Sequence, residues 1–117
     1  MKHPAEGKIN SERLWQHIEM LGRIGQNEDG SVTRFPFTGE DKAAAELIGR
    51  WMKDAGLTVK TDAAGNLIGC LEVPEEKNAS VVLTGSHYDT VLCGGRFDGT
   101  LGVLGAIEAV QIGRAHV

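Results

Sequence analysis

"SVVLTGSHYDTVLCGGRFDGTLGVLGAIEAV", Ser80 to Val110, carries the reading of the fold. The run over 80–86 is continuously apolar and bounded by polar and glycine residues, which predicts a strand buried on both faces of an open sheet. From Gly99 onward the segment predicts a helix packed closely through Gly102, Gly105 and Ala106. A glycine-rich loop joins the two. Strand, tight loop and helix in that order make an α/β unit, in which ligands bind at the carboxyl ends of strands.

His87 and Asp89 stand at that strand end, two positions apart, so an extended backbone points them to one side. A carboxylate there can hold one imidazole nitrogen and leave the other free for a metal. Asp98 opens the next helix, after glycines that let the chain turn back tightly toward the strand. Taken singly, His87 also fits a structural or exposed position, and Asp98 before Gly99 also fits a helix cap or turn. Chemistry alone leaves the metal site and these structural roles both open.

Upstream, "NSERLWQHIEMLGRIG" predicts a helix capped by Asn10 or Ser11, with Leu14, Trp15, Ile18, Leu21 and Ile24 at helical spacing and Gly25 as a stop. His17 reads as a solvated or half-buried position on that helix. "QNEDGSVTRFPFTGED" predicts an ordered loop, since Pro36 argues against a central strand. Thr38 then caps a second helix with the apolar stripe Ala44, Leu47, Ile48, Trp51 and Met52, ended by a left-handed Gly56. "LTVKTD" and "NLIGCLEV" around "AAGN" predict a hairpin. "PEEKNAS" reads as a polar surface connection.

The chain has 117 residues, enough for at most one domain, with 41% hydrophobic and 24% charged residues and a net charge of −4. No basic footprint for nucleic acid or a membrane surface is present, nor an apolar run of signal-peptide or membrane-span length. The expectation is a cytoplasmic protein with no nucleic-acid or membrane partner. Cys70 and Cys93 show no CxxC spacing and read as reduced packing residues, with Cys93 close to the loop of interest.

"GSHYDTV" followed by "GGRFDGTLGVL" resembles the metal-binding segment of zinc-dependent amidohydrolases of the hydantoinase/carbamoylase family. These include N-carbamoyl-L-amino-acid hydrolases, allantoate amidohydrolases and β-ureidopropionases, relatives of aminoacylases and dinuclear zinc exopeptidases. The similarity runs from "INSERLWQHIEMLGRIG" through "SVTRFPFTGEDKAAAELIGRWMKDAGLTVKTDAAGNLIG" to "LGAIEAV", about residues 9 to 110. It implies the N-terminal part of a three-layer α/β catalytic domain around a mixed sheet, over residues 9–111, preceded by a tail over 1–8. By the same resemblance His87 ligates one metal, Asp98 bridges two, and Asp89 is the catalytic-site carboxylate that orients His87. Gly94, Gly95 and Gly99 shape the loop. "SVTRFPFT" matches a family loop on the active-site side and receives no role.

The implied cofactors are two divalent metal ions, zinc or alternatively manganese, cobalt or nickel. The implied activity is hydrolysis of an N-carbamoyl-L-amino acid or a related small ureido or amide substrate by a homodimer. Allantoate hydrolysis, an aminoacylase or dipeptidase activity, and a non-catalytic ligand-binding relative are the alternatives. The family's general-base glutamate, a neighbouring glutamate ligand and two further histidines have no counterpart in this sequence. His3, His17 and His116 do not replace them, so the 117-residue chain is expected to be inactive by itself. "QIGRAHV" abandons the preceding pattern and puts Gly113 at a cap position. "IGRAHV" also resembles a translated sequencing adapter, so residues 112–117 are expected to be a non-native tail.

Overall fold

A computed structural model of the chain describes residues 7–72, 78 and 80–115. His3, His116 and most of the 74–80 connection lie outside the described residues. The elements are α1 (Ser11–Gly22), α2 (Gly39–Asp54), β1 (Thr58–Thr61), β2 (Leu67–Cys70) and α3 (Thr100–Ala115). This is the expected α/β arrangement, and its described sheet is the antiparallel β1–β2 pair.

Local chemistry sets the helix starts. The Asn10 carboxamide accepts the Arg13 N–H at 3.0 Å, and the Thr38 hydroxyl accepts the Asp41 N–H at 3.2 Å, each relieving an orphan donor of a first turn. Glu40 and Asp41 open α2 and Lys53 closes it, complementing the helix dipole. Gly56 follows at φ 90°, the left-handed position expected there, whereas α1 ends at Gly22 and Gly25 turns only afterwards, at φ 84°.

The hairpin pairs Thr58 with Cys70 through Thr61 with Leu67. Its turn is tied by Asp62, whose Oδ1 accepts the N–H groups of Ala64 at 3.0 Å and Asn66 at 2.8 Å. Three helices supply the core. Ile18 and Leu21 of α1, Ala44, Leu47, Ile48 and Trp51 of α2, and Val103, Leu104 and Ile107 of α3 are all buried. Each large side chain buried this way contributes about 1.5–3 kcal/mol. His17 is half-buried on α1, as expected, and stacks on Trp51 at 4.0 Å between ring centroids.

Several expectations are corrected. Residues 80–86 form no strand: the segment is exposed, with Val81, Val82 and Leu83 at 88%, 93% and 88% exposure. An apolar run becomes a buried strand only with sheet neighbours, and among the described residues β1 and β2 pair only with each other. Cys70 and Cys93 are exposed free thiols instead of packing residues, Cys93 sitting in a turn at φ 50°. α3 continues through Gly113, so no cap falls there. Gly102 does pack closely, since a Cβ would meet Ser86 Cβ at 2.8 Å, but a Cβ at Gly105 meets open space.

Candidate functional site

The loop between residue 86 and α3 is fastened from below by the segment Val32–Arg34. Val32 and Gly94 exchange backbone hydrogen bonds, both at 2.8 Å. The Cys93 N–H donates to Thr33 Oγ1 at 2.9 Å. The Thr90 N–H donates to the Arg34 carbonyl at 2.9 Å, while the buried Thr90 hydroxyl accepts the Arg34 N–H at 2.8 Å and donates to the Val32 carbonyl at 3.0 Å. With these partners the loop needs no regular element to hold its shape.

Arg34 is the residue that sequence reasoning missed. A loop arginine normally reads as solvated, yet this one is 1% exposed. Its Nε donates to the Tyr88 carbonyl at 2.8 Å, and its Nη1 donates to the Leu21 and Ile24 carbonyls at 3.0 and 2.8 Å. Burial pulls the guanidinium pKa down, opposed by the nearby Asp41 and Asp89 carboxylates. No periodicity or spacing in "SVTRFPFT" marks this role, because the carbonyls it reaches belong to distant segments.

Above this base, His87 sits between two carboxylates. Its Nδ1 lies 3.1 Å from Asp89 Oδ1 and 3.1 Å from the Asp89 carbonyl oxygen, and its Nε2 lies 3.6 Å from Asp98 Oδ2. A proton on Nδ1 satisfies the Asp89 acceptors and leaves the Nε2 lone pair directed toward Asp98. The three side chains are exposed or half-buried, Asp98 at 79%. Gly99 makes the approach sterically feasible: it adopts φ 72°, and a Cβ there would collide with the His87 ring and carbonyl. Gly94 is also confined, its Cβ position lying 3.3 Å from Thr90 and Val91, whereas a Cβ at Gly95 would meet nothing within 4 Å.

The donor set suits a metal in part. Two atoms bound to one tetrahedral zinc at about 2.0–2.2 Å stand about 3.4 Å apart, close to the 3.6 Å between His87 Nε2 and Asp98 Oδ2. Among the described residues no three His, Cys, Asp or Glu side chains are placed to hold one metal ion together, so the site offers fewer protein ligands than the usual three or four. A groove of about 480 Å³ lies beside it, walled by the hairpin, α2 and α3 and reaching His87, Tyr88 and Asp89. Burial raises the Tyr88 phenol pKa, with the Asp41 and Asp89 charges acting in the same direction.

Comparison with known proteins shows what the chain is similar to. In structure the chain matches amidases of the hydantoinase/carbamoylase family. The crystal structure of one such amidase from Burkholderia ambifaria superposes with a TM-score of 0.88 at 39% identity, over 94% of this chain and 27% of that one. Its homologues include N-carbamoyl-L-amino acid amidohydrolases. The one from Geobacillus stearothermophilus is 50% identical over 108 residues, 92% of this chain and 26% of its own length. Allantoate amidohydrolase from Bacillus subtilis (strain 168) is 39% identical over 98 residues, 84% of this chain and 24% of its own. The chain therefore spans about a quarter of the length of the curated relatives it matches. No family model matches it. Among the described residues no helix is long and apolar enough to cross a membrane.

Proposed function

We propose that this chain supplies part of the metal site of an amidohydrolase that cleaves N-carbamoyl-L-amino acids or related small ureido compounds. The observation carrying the reading is His87 bracketed by Asp89 at 3.1 Å and Asp98 at 3.6 Å, on a chain homologous to such hydrolases. His87 and Asp98 would hold the metal, with Asp98 shared between two ions, while Asp89 keeps the imidazole in the tautomer that presents Nε2. Zinc, or alternatively manganese, cobalt or nickel, would lower the pKa of a bound water and polarise the carbonyl under attack. Asp89 acts by orientation and by stabilising the Nδ1 proton, the role a carboxylate behind a metal-bound imidazole performs.

A protein of the relatives' length would provide the remaining ligands and the general base. The 117 residues alone are expected to show no turnover. A cytoplasmic homodimer completes the proposal. Allantoate is the second substrate reading, favoured by the Bacillus subtilis homologue. The test is to express this segment within a protein of the relatives' length, load it with zinc or manganese, and measure ammonia release from N-carbamoyl-L-amino acids and from allantoate. Turnover of the first substrate class, abolished by His87→Ala, supports the reading; absence of turnover on every ureido and amide substrate overturns it.

A further inference from the structure

We propose that Arg34, acting with Thr90, is a positioning residue for the Asp89–His87 pair. The inference rests on the metal-site reading for its purpose, but its geometry stands independently. Asp89 is flanked by two anchored neighbours. On one side the Tyr88 carbonyl accepts Arg34 Nε at 2.8 Å; on the other, Thr90 exchanges two hydrogen bonds with the Arg34 backbone, at 2.8 and 2.9 Å. The same guanidinium grips the end of α1 through the Leu21 and Ile24 carbonyls. One buried residue thus ties the chain on either side of Asp89 to the helical core, through its side chain at Tyr88 and its backbone at Thr90, although His87 is exposed and Asp89 only half-buried.

The chemistry of the anchor supports a positional role. Among the described residues Arg34 forms no ion pair, so its charge is held by carbonyl dipoles and by the more distant Asp41 and Asp89. Burying a charge this way is costly, and an apolar residue would fill the same space with less desolvation. What an apolar residue cannot do is donate to three carbonyls at once, two at the end of α1 and one beside Asp89. Lysine cannot reproduce the planar fork either. The loop between residue 86 and α3 lacks regular structure, so Arg34 and Thr90 supply the rigidity that a strand would otherwise give the ligand-bearing end.

The experiment compares the full chain with Arg34→Lys, Thr90→Val and Thr90→Ser, and with Ile18→Val as a core change away from the site. The first readout, without metal, is the ¹⁵N shift of the His87 imidazole, which reports its tautomer; the second is Zn²⁺ affinity by indicator competition. Arg34→Lys and Thr90→Val are expected to shift the tautomer balance and to weaken Zn²⁺ binding about tenfold or more. Thr90→Ser, which keeps the hydroxyl, should stay within about twofold of the parent, as should Ile18→Val despite its loss of core volume. If Thr90→Val and Arg34→Lys leave the His87 spectrum unchanged, or if Ile18→Val alters it equally, the positioning role is overturned. A tautomer change in a chain that binds no Zn²⁺ would uphold the positioning role and count against the metal reading alone.

Discussion

Arg13 and Glu108 meet through two bonds, Nε to Oε2 at 2.9 Å and Nη2 to Oε1 at 2.6 Å, locking α1 to α3 across the edge of the helical core. Glu108 also accepts the Asn10 N–H at 3.3 Å, so the same carboxylate fixes the start of α1. The Glu108 side chain is 5% exposed and that of Arg13 is 33% exposed. Arg13→Met would leave a nearly buried carboxylate without its cation. Breaking such a pair costs about 3–5 kcal/mol when both partners are buried, and water access on the Arg13 side reduces the expected loss to about 2–3 kcal/mol. Urea denaturation followed by helical circular dichroism measures this; a midpoint equal to the parent's refutes it.

Acid should destabilise the fold in two successive windows. The His17 pKa is lowered from its usual 6.5, first by burial against Trp51 and then by the Arg13 charge, so the unfolded chain binds the proton more readily. Its contribution is complete above about pH 6.5 and falls as the pH drops below that value. Hydrogen bonding to Arg13 lowers the Glu108 pKa from 4.5, so its contribution is present above that value and lost as the pH falls through the lowered one. Thermal melts between pH 7.5 and 5 should therefore show a decline that His17→Gln flattens. An equal decline in that variant would remove His17 as the cause.

Gly99→Ala should uncouple His87 from Asp98. The substitution places a Cβ into the His87 ring and carbonyl at φ 72°, a region that costs about 1–2 kcal/mol for an L residue. Zn²⁺ affinity is expected to fall at least tenfold. Gly95→Ala is the matched control, since its Cβ enters open space, and it should change stability by less than about 0.5 kcal/mol. Similar effects from both substitutions would show that the loop tolerates no side chain anywhere, and the specific contact would lose its support.

The Val81–Leu83 run should make the chain self-associate. Three consecutive apolar residues at 88% exposure or more, on an irregular segment whose backbone is unpaired among the described residues, present the same hazard as an uncapped sheet edge. Val82→Lys is expected to lower light scattering at matched concentration and to leave the helical signal intact, because Val82 contributes nothing to the core. Scattering identical to the parent's would place the sticky surface elsewhere.

The helices, their Asn10 and Thr38 caps, the Gly56 terminator and the hairpin were legible in the sequence because each depends on contacts within a few residues. The His87, Asp89 and Asp98 triplet was legible for a related reason: two of its members stand two positions apart along the chain, and a glycine-rich loop announces the return of the third. Arg34 and Thr90 were not legible, because the bonds that join them to each other's segments cross 54 to 58 positions, and those to the end of α1 cross 10 and 13, all involving backbone groups that no composition or period encodes. The apolar run over 80–86 states a demand for burial, yet only tertiary structure decides whether neighbours answer it, and among the described residues none do. Sequence alone therefore determined the local elements of this protein and pointed to the three side chains that meet at the candidate site. Tertiary structure decided which buried groups hold those residues in place, since desolvation and long-range pairing exist only once distant segments meet.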